Sequence, residues 1–410
     1  MRLLVFRKRL NVIERKKEKG SMVPSFNADN YDKEQPIIIY GAGQYGELAL
    51  RGLQALNIKV DYFLDHSRQG EQYLGVSVLD PSEISNYRDA NVLIASLNYY
   101  GEMVRYLHSV NHTNIYNIAD LMQLEYDEDL LSENAKDQKN SYQRYVDVVK
   151  HYEDDSLTIT HCEIVLTEKC TLKCKDCANF MQYYEHPVDM NLEEIIEDFD
   201  KLLDSIDKLL ELRLLGGEPF IFKHIDSIIN YYARNPKITR ITVYTNATLI
   251  PSEQVLTALS KDNVAVHMSN YGIYSRNIGV LEKIFLEKGI KYYVHKYENW
   301  CDMGDPRQRH KYSNEEVENI YRKCMSKSCH TFYRGKLYIC PRQAHGEQLQ
   351  FFQNKRNEDI DFTGQCDRKE KREEIKNLFA DRKYIDACYY CNGLDNDSID
   401  IPAAVQLKRK

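Results

Sequence analysis

No apolar stretch of the 410-residue sequence approaches the roughly 20 residues that a membrane-spanning helix requires, so no span is expected. An excess of positive charge is lacking too. The net charge is −7 and the pI about 6.0, which argues against nucleic acid as a partner. The start is basic, with Arg2, Arg7, Lys8, Arg9, Arg15, Lys16, Lys17 and Lys19. Its apolar run is too short for a signal peptide. A cytoplasmic, reducing setting is therefore expected, in which the 11 cysteines are read as metal ligands before disulfides. What is present suits a folded soluble chain: 43% hydrophobic and 29% charged residues, at a length that suggests two or three domains.

Residues 1–35 are basic, then polar, and are expected to be a disordered tail. Pro36-Ile37-Ile38-Ile39-Tyr40 reads as a buried strand. Behind it, Gly41-Ala42-Gly43-Gln44-Tyr45-Gly46 sets G-x-G-x-x-G between that strand and a helix-like stretch from Glu47 to Leu56. A second strand, Lys59 to Leu64, ends at Asp65, and a third covers Asn91 to Ala95. This order predicts a Rossmann-like domain over 36–122. Gly41, Gly43 and Gly46 would let a diphosphate approach a helix N-terminus, and Asp65 stands where a ribose hydroxyl would be held. The segment resembles the small N-terminal domains of sugar acyltransferases and other saccharide-modifying enzymes. That resemblance implies a nucleotide or nucleotide-sugar here; a vestigial fold serving as an interaction module is the other reading. Residues 123–155 are charged, contain no Pro or Gly, and read as a helical connector.

From 156 to 320, strand-like and helix-like runs alternate. The fold class expected is α/β, with a partial TIM-like (β/α)6 barrel. On such sheets chemistry gathers at the C-terminal strand ends. After the first strand comes Cys170-Thr171-Leu172-Lys173-Cys174-Lys175-Asp176-Cys177. Three thiolates can hold three irons of a cubane and leave the fourth iron open, whereas a closed structural site uses four protein ligands. Gly216-Gly217-Glu218-Pro219 follows the second strand, Tyr244-Thr245-Asn246-Ala247 the third, and Ser269 the fourth.

The C-x3-C-x2-C loop, followed by G-G-E-P, is similar to the signature of the radical S-adenosylmethionine (radical SAM) enzymes. The resemblance implies a catalytic 4Fe-4S cluster on Cys170, Cys174 and Cys177. It implies S-adenosylmethionine bound by Gly216, Gly217, Glu218, Asn246 and Ser269, with the Glu218 carboxylate meeting the cofactor's amino group. It also implies reductive cleavage to a 5'-deoxyadenosyl radical that removes a substrate hydrogen atom. Two positions depart from the pattern: Asp176 stands where an aromatic residue is common, and Ala247 where a glycine is. Half of a zinc site is the alternative for the loop.

Beyond Trp300, Cys324, Cys329, Cys340, Cys388 and Cys391 flank and follow a hairpin-like run from Thr331 to Ile339. This resembles the twitch domain, the shortened SPASM extension, over 321–395, and implies one auxiliary 4Fe-4S cluster. Cys340, Cys388 and Cys391 are three of its ligands, with Cys324 or Cys329 as the fourth. A four-cysteine zinc site is the alternative. Cys162, Cys301 and Cys366 read as plain thiols, and 396–410 as a tail. Arg342 or His345 is expected to reach an anionic or hydroxyl group of the substrate. The expected partners are a small-molecule substrate, a sugar or nucleotide-sugar, and a reductase such as flavodoxin or ferredoxin. A peptide-modifying enzyme of the same family, and a non-catalytic iron–sulfur or zinc scaffold, are the alternatives.

Overall fold

The computed structural model describes residues 23–140, 142–152, 156–355, 358–379, 382–395 and 397–408. The basic start, 1–22, lies outside the described residues. A first sheet contains β1 (Ile37–Tyr40), β2 (Tyr62–Leu64), β3 (Gln72–Tyr73), β4 (Val76–Leu79), β5 (Asn91–Ile94) and β6 (Ile115–Asn117). Helices α1 (Gln44–Ala55), α2 (Tyr100–Ser109) and α3 (Ala119–Met122) accompany it. The strand order is β3-β4-β2-β1-β5-β6, parallel except for the β3–β4 pair. Every residue of β1 and β5 is buried, as the continuous apolar runs of a sheet covered on both faces require. The order reverses between β1 and β5, where such sheets open a crevice at the strand ends.

Residues 23–35, expected to be disordered along with the start, pack onto this sheet instead. Phe26 is fully buried and meets Tyr116 edge to face at 5.5 Å, while Ser25 bridges to Asn117. Two apolar residues, Val23 and Phe26, anchor this otherwise polar segment.

Helices α4 (Glu133–Asn140) and α5 (Tyr142–His151) lead to a second sheet. It contains β7 (Thr158–Val165), β8 (Lys208–Leu215), β9 (Ile238–Thr245), β10 (Val264–Asn270) and β11 (Lys291–Lys296). Past the short β12 (Asn299–Cys301) it gains β13 (His330–Tyr333), β14 (Lys336–Tyr338) and β15 (Asp359–Asp361). The order is β11-β10-β9-β8-β7-β13-β14-β15. Strand β13 runs parallel to β7, so the first arm of the hairpin is the sixth parallel strand. The hairpin turns at Arg334 and Gly335, both at positive φ (+50° and +74°), the twist that two-residue hairpins favour.

Helices α6 (Leu192–Ser205), α7 (Ile225–Tyr232), α8 (Glu253–Leu259) and α9 (Ile278–Lys288) cover one face of this sheet. Helix α6 starts where Asn191 Oδ1 accepts the Glu194 N–H at 3.0 Å, a cap worth about 1 kcal/mol. Its apolar stripe, Ile195, Phe199, Leu202 and Leu203, meets Leu212, Leu214 and Phe332 in one core. The opposite face of β7 to β9 is polar. There Glu211 accepts from Arg213 (3.0 Å), from Arg144 of α5 (2.9 Å) and from Thr242 (2.7 Å). Burial alone would raise the Glu211 carboxyl; Arg213, Arg144 and Arg240 outweigh it and hold the group well below the carboxylate range. This buried ion cluster ties the connector to the sheet.

Helices α10 (Asn314–Lys323), α11 (Pro341–Gln348) and α12 (Arg368–Phe379) belong to the C-terminal part. Residues 397–408, expected to be a tail, are also packed: β16 (Asp400–Pro402) pairs antiparallel with β12. No helix among the described residues is long and apolar enough to cross a membrane.

Phe199 joins three elements, edge to face with Phe332 at 5.1 Å and Tyr232 at 5.4 Å. Phe199→Ala is expected to cost about 3–5 kcal/mol, read as a lower denaturant midpoint at unchanged slope.

Candidate functional site

The loop that leaves β7 is held against the end of β8 by two backbone hydrogen bonds. Gly217 N–H donates to Thr167 O (2.8 Å) and Glu218 N–H to Lys169 O (2.9 Å). Both glycines follow from that approach. A Cβ on Gly216, at φ +148°, would meet Thr167 O at 2.3 Å. One on Gly217 would meet Lys169 O at 2.1 Å and Cys170 Cβ at 2.9 Å.

The same loop brings Cys170, Cys174 and Cys177 together. Burial, with Cys177 beside them, pushes the Cys170 thiol up to about 12 and Cys174 up to about 11. Cys177 is itself raised by burial, against backbone N–H groups of Met181, Asn179 and Phe180 that favour its thiolate. As free thiols these groups hold their protons at neutral pH, so loading a cation here must release them.

Asn246, just past β9, reaches this loop: its Nδ2 lies 3.6 Å from Cys170 Sγ and donates to Thr171 Oγ1 at 3.1 Å. Ser269 sits at the end of β10 and hydrogen-bonds the phenol of Tyr271. The Glu218 carboxylate is fully buried and accepts from Thr245 Oγ1 (2.8 Å), Asn246 N–H (2.9 Å) and Phe220 N–H (3.2 Å). Through these bonds Glu218 fastens the end of β8 to the end of β9. Burial raises its carboxyl to about 7.

Sequence reasoning missed two neighbours of the triad. Tyr271 is half-buried, close enough to Cys177 and Cys174 for both to raise its phenol, whereas Asp176 is exposed. Gln406 Nε2 lies 3.1 Å from Cys174 Sγ. Tyr271 follows the Ser269-Asn270 pair and was within reach of the strand-end logic; Gln406 had no local signal.

The C-terminal cysteines divide. Cys324, Cys340, Cys388 and Cys391 line one pocket among Ile320, Ile339 and Ile385. Cys329 does not line it; burial, with the nearby Glu163, pushes its thiol up to about 12. The 3-10 turn at Met325–Ser328 separates Cys329 from Cys324 along the chain and leaves it outside that pocket. Among the described residues no three His, Cys, Asp or Glu side chains are gathered as ligands of one metal ion. Thiolates that bind different irons of a cluster need not converge in that way. Between the two cysteine sets lies α11. Its Arg342 donates to Gly304 O (3.1 Å) and Tyr390 O (3.2 Å) and covers the Phe180 ring. His345 is fully buried, lowered to about 3 by that burial, with Nδ1 2.8 Å from Tyr184 Oη. Both side chains make contacts within the protein here.

At the first sheet, Gly41 and Gly46 are packing requirements. A Cβ on Gly41 would lie 2.6 Å from Ala95 O, and one on Gly46 2.1 Å from Gly41 O. Gly43 faces open space, in a cavity of about 420 Å³ that also reaches Arg322, Cys324 and Lys327. Asp65 accepts the Ala42 N–H (2.9 Å) and the Ser67 N–H (2.7 Å), so its carboxylate braces the glycine loop.

The model of the radical SAM superfamily matches residues 164–303, and one described as C2185-like, N-terminal, matches 33–115. GTP 3',8-cyclase of Syntrophomonas wolfei is 31% identical over 106 residues, which is 24% of this chain and 31% of that protein. The cyclase of Clostridium botulinum is 32% identical over 110 residues, 26% of this chain and 33% of its own. The chain therefore spans about a third of the length of the curated relatives it matches. Among solved structures, BtrN in complex with AdoMet and 2-DOIA is similar over 57% of this chain and 93% of that one, at TM-score 0.38 and 15% identity. Streptococcus suis SuiB bound to precursor peptide SuiA is similar over 54% of this chain and 48% of that one, at TM-score 0.28 and 19% identity. Residues 164–303 thus match the radical SAM superfamily, whose domain implies an iron–sulfur cluster and S-adenosylmethionine.

Gly217→Ala is expected to displace the cysteine loop and lower the iron bound per chain after anaerobic loading. In the first sheet, Gly46→Ala should lower the thermal midpoint markedly, and Gly43→Ala should leave it within a degree or two, since its Cβ meets nothing.

Proposed function

We propose that this chain, whose residues 164–303 match the radical SAM superfamily, oxidises or rearranges a sugar or nucleotide-sugar by hydrogen-atom abstraction. The observation that carries the reading is the seam between Gly216–Gly217 and the loop of Cys170, Cys174 and Cys177, where a side chain on either glycine has no room. These three thiols would hold the catalytic cluster. When bound, a four-iron cluster with one iron free of thiolates supplies an electron to the sulfonium of S-adenosylmethionine and leaves a 5'-deoxyadenosyl radical.

The chain's own residues have separate tasks in this reading. Asn246 orients the cysteine loop through Cys170 and Thr171. The backbone of Gly216 and Gly217, beside that loop, offers polar groups to the cofactor's amino group. Tyr271 provides the aromatic surface that Asp176 cannot. Cys324, Cys340, Cys388 and Cys391 would hold an auxiliary cluster in a twitch-like extension, where soft thiolates suit iron–sulfur chemistry. Such a cluster could accept the electron left on an oxidised substrate.

The saccharide part of the reading rests on the first sheet. Its parallel order reverses between β1 and β5, the place where Rossmann-like sheets bind nucleotides. The cavity there is lined by the glycine loop at the start of α1, by Arg68, Arg322 and Lys327 and by Asp65, Glu71, Asp395 and Asp397; the helix N-terminus and the basic side chains are the groups that would meet a diphosphate.

Anaerobic reconstitution tests the chemistry. With dithionite and S-adenosylmethionine the protein is expected to release 5'-deoxyadenosine, and a Cys170/Cys174/Cys177→Ala variant to release none. Iron should fall from roughly eight to about four per chain in that variant. Calorimetric titration with nucleoside diphosphates tests the second site: Arg322→Ala or Lys327→Ala should each weaken binding about tenfold, the loss of one charge-assisted hydrogen bond. Absence of 5'-deoxyadenosine from protein with full iron would contradict the first part, and absence of binding by every nucleoside diphosphate the second.

A further inference from the structure

The segment from Asp400 to Leu407 lies across the cysteine loop and is fixed to it residue by residue. Strand β16 pairs with β12, and Ala404, fully buried at φ +54°, bends the chain onto the loop. Lys175 N–H then donates to Val405 O (2.7 Å) and Leu407 N–H to Lys173 O (2.8 Å). Between these two bonds the Gln406 side chain is held at both ends. Its Oε1 accepts the Lys173 N–H at 2.8 Å, and its Nε2 donates to Ala404 O at 2.7 Å. Those two partners fix which end of the amide is which, because a backbone N–H can meet only the oxygen and a carbonyl only the nitrogen. The remaining Nε2–H points to Cys174 Sγ, 3.1 Å away.

We propose that Gln406 is a positioning residue for the cluster held by Cys170, Cys174 and Cys177, and that its N–H···S hydrogen bond to Cys174 sets the potential of that cluster. This rests on the reading of those cysteines as cluster ligands. A donor to a ligating sulfur stabilises the more negative, reduced cluster more than the oxidised one, so it raises the potential. The two backbone bonds of Val405 and Leu407 do not involve the Gln406 side chain, so a substitution there removes the donor and leaves the strap attached.

The test is an EPR-monitored redox titration of the full chain, anaerobically loaded, in a Cys388→Ala/Cys391→Ala background that leaves the catalytic cluster alone. Gln406→Leu is expected to lower the midpoint potential by about 59 mV, a tenfold change in the one-electron equilibrium, with iron content unchanged. Gln406→Glu, which replaces the donor with a negative charge, should lower it further. An unchanged midpoint in a Gln406→Leu protein with full iron would overturn the role of Gln406. Loss of a four-iron signal in the background protein itself would instead overturn the reading of the cysteine triad. A readout that needs no substitution is the hyperfine coupling of a ¹⁵N-labelled glutamine side chain to the reduced cluster. Its presence supports the contact, and its absence contradicts it even if Gln406→Leu takes up no iron.

Discussion

Two hydrogen bonds between main chains, Gly217 N–H to Thr167 O and Glu218 N–H to Lys169 O, bring the ends of β7 and β8 so close that neither glycine can carry a side chain. From that contact the rest of the site is assembled. The loop holds its three cysteines beside the end of β9, where Asn246 meets Cys170. Glu218, buried by the same approach, fastens β8 to β9 through Thr245 and the Asn246 amide. A buried carboxylate with three donors is satisfied and holds that frame together.

Much of this was legible because the signals are local. The cysteine spacing, the paired glycines and the alternation of strands with helices can each be read within a few turns of chain. Long-range packing could not be read so easily. The segment 23–35 looks polar, yet one buried phenylalanine, Phe26, commits it to the first sheet. The run after Asp400 looks like a tail, yet it completes a two-stranded sheet with β12 and ends on Cys174. In both cases a few contacts between residues far apart in sequence decide the outcome, and no periodicity announces them.

The C-terminal cysteines show the same division. Their number and order suggested five candidates for four places. The short turn after Cys324 leaves Cys329 near Glu163, while Cys324 lines a pocket with Cys340, Cys388 and Cys391. Helix α11 starts directly after Cys340, and its His345 meets Tyr184. Arg342 and His345, on that helix, serve its packing. On the other side, the ion cluster of Glu211 with Arg144 and Arg213 joins the connector to the sheet, which gives the N-terminal sheet a fixed place beside the turn at Cys324.

The central claim is that the Cys170, Cys174 and Cys177 loop holds a four-iron cluster with one iron left open to S-adenosylmethionine. Mössbauer spectroscopy of ⁵⁷Fe-loaded protein carrying Cys388→Ala and Cys391→Ala reads that iron directly. The account predicts that one iron site of the cluster changes its parameters when S-adenosylmethionine is added and that the others do not. Zinc in the loop, or a cluster whose irons are all indifferent to S-adenosylmethionine, would contradict it.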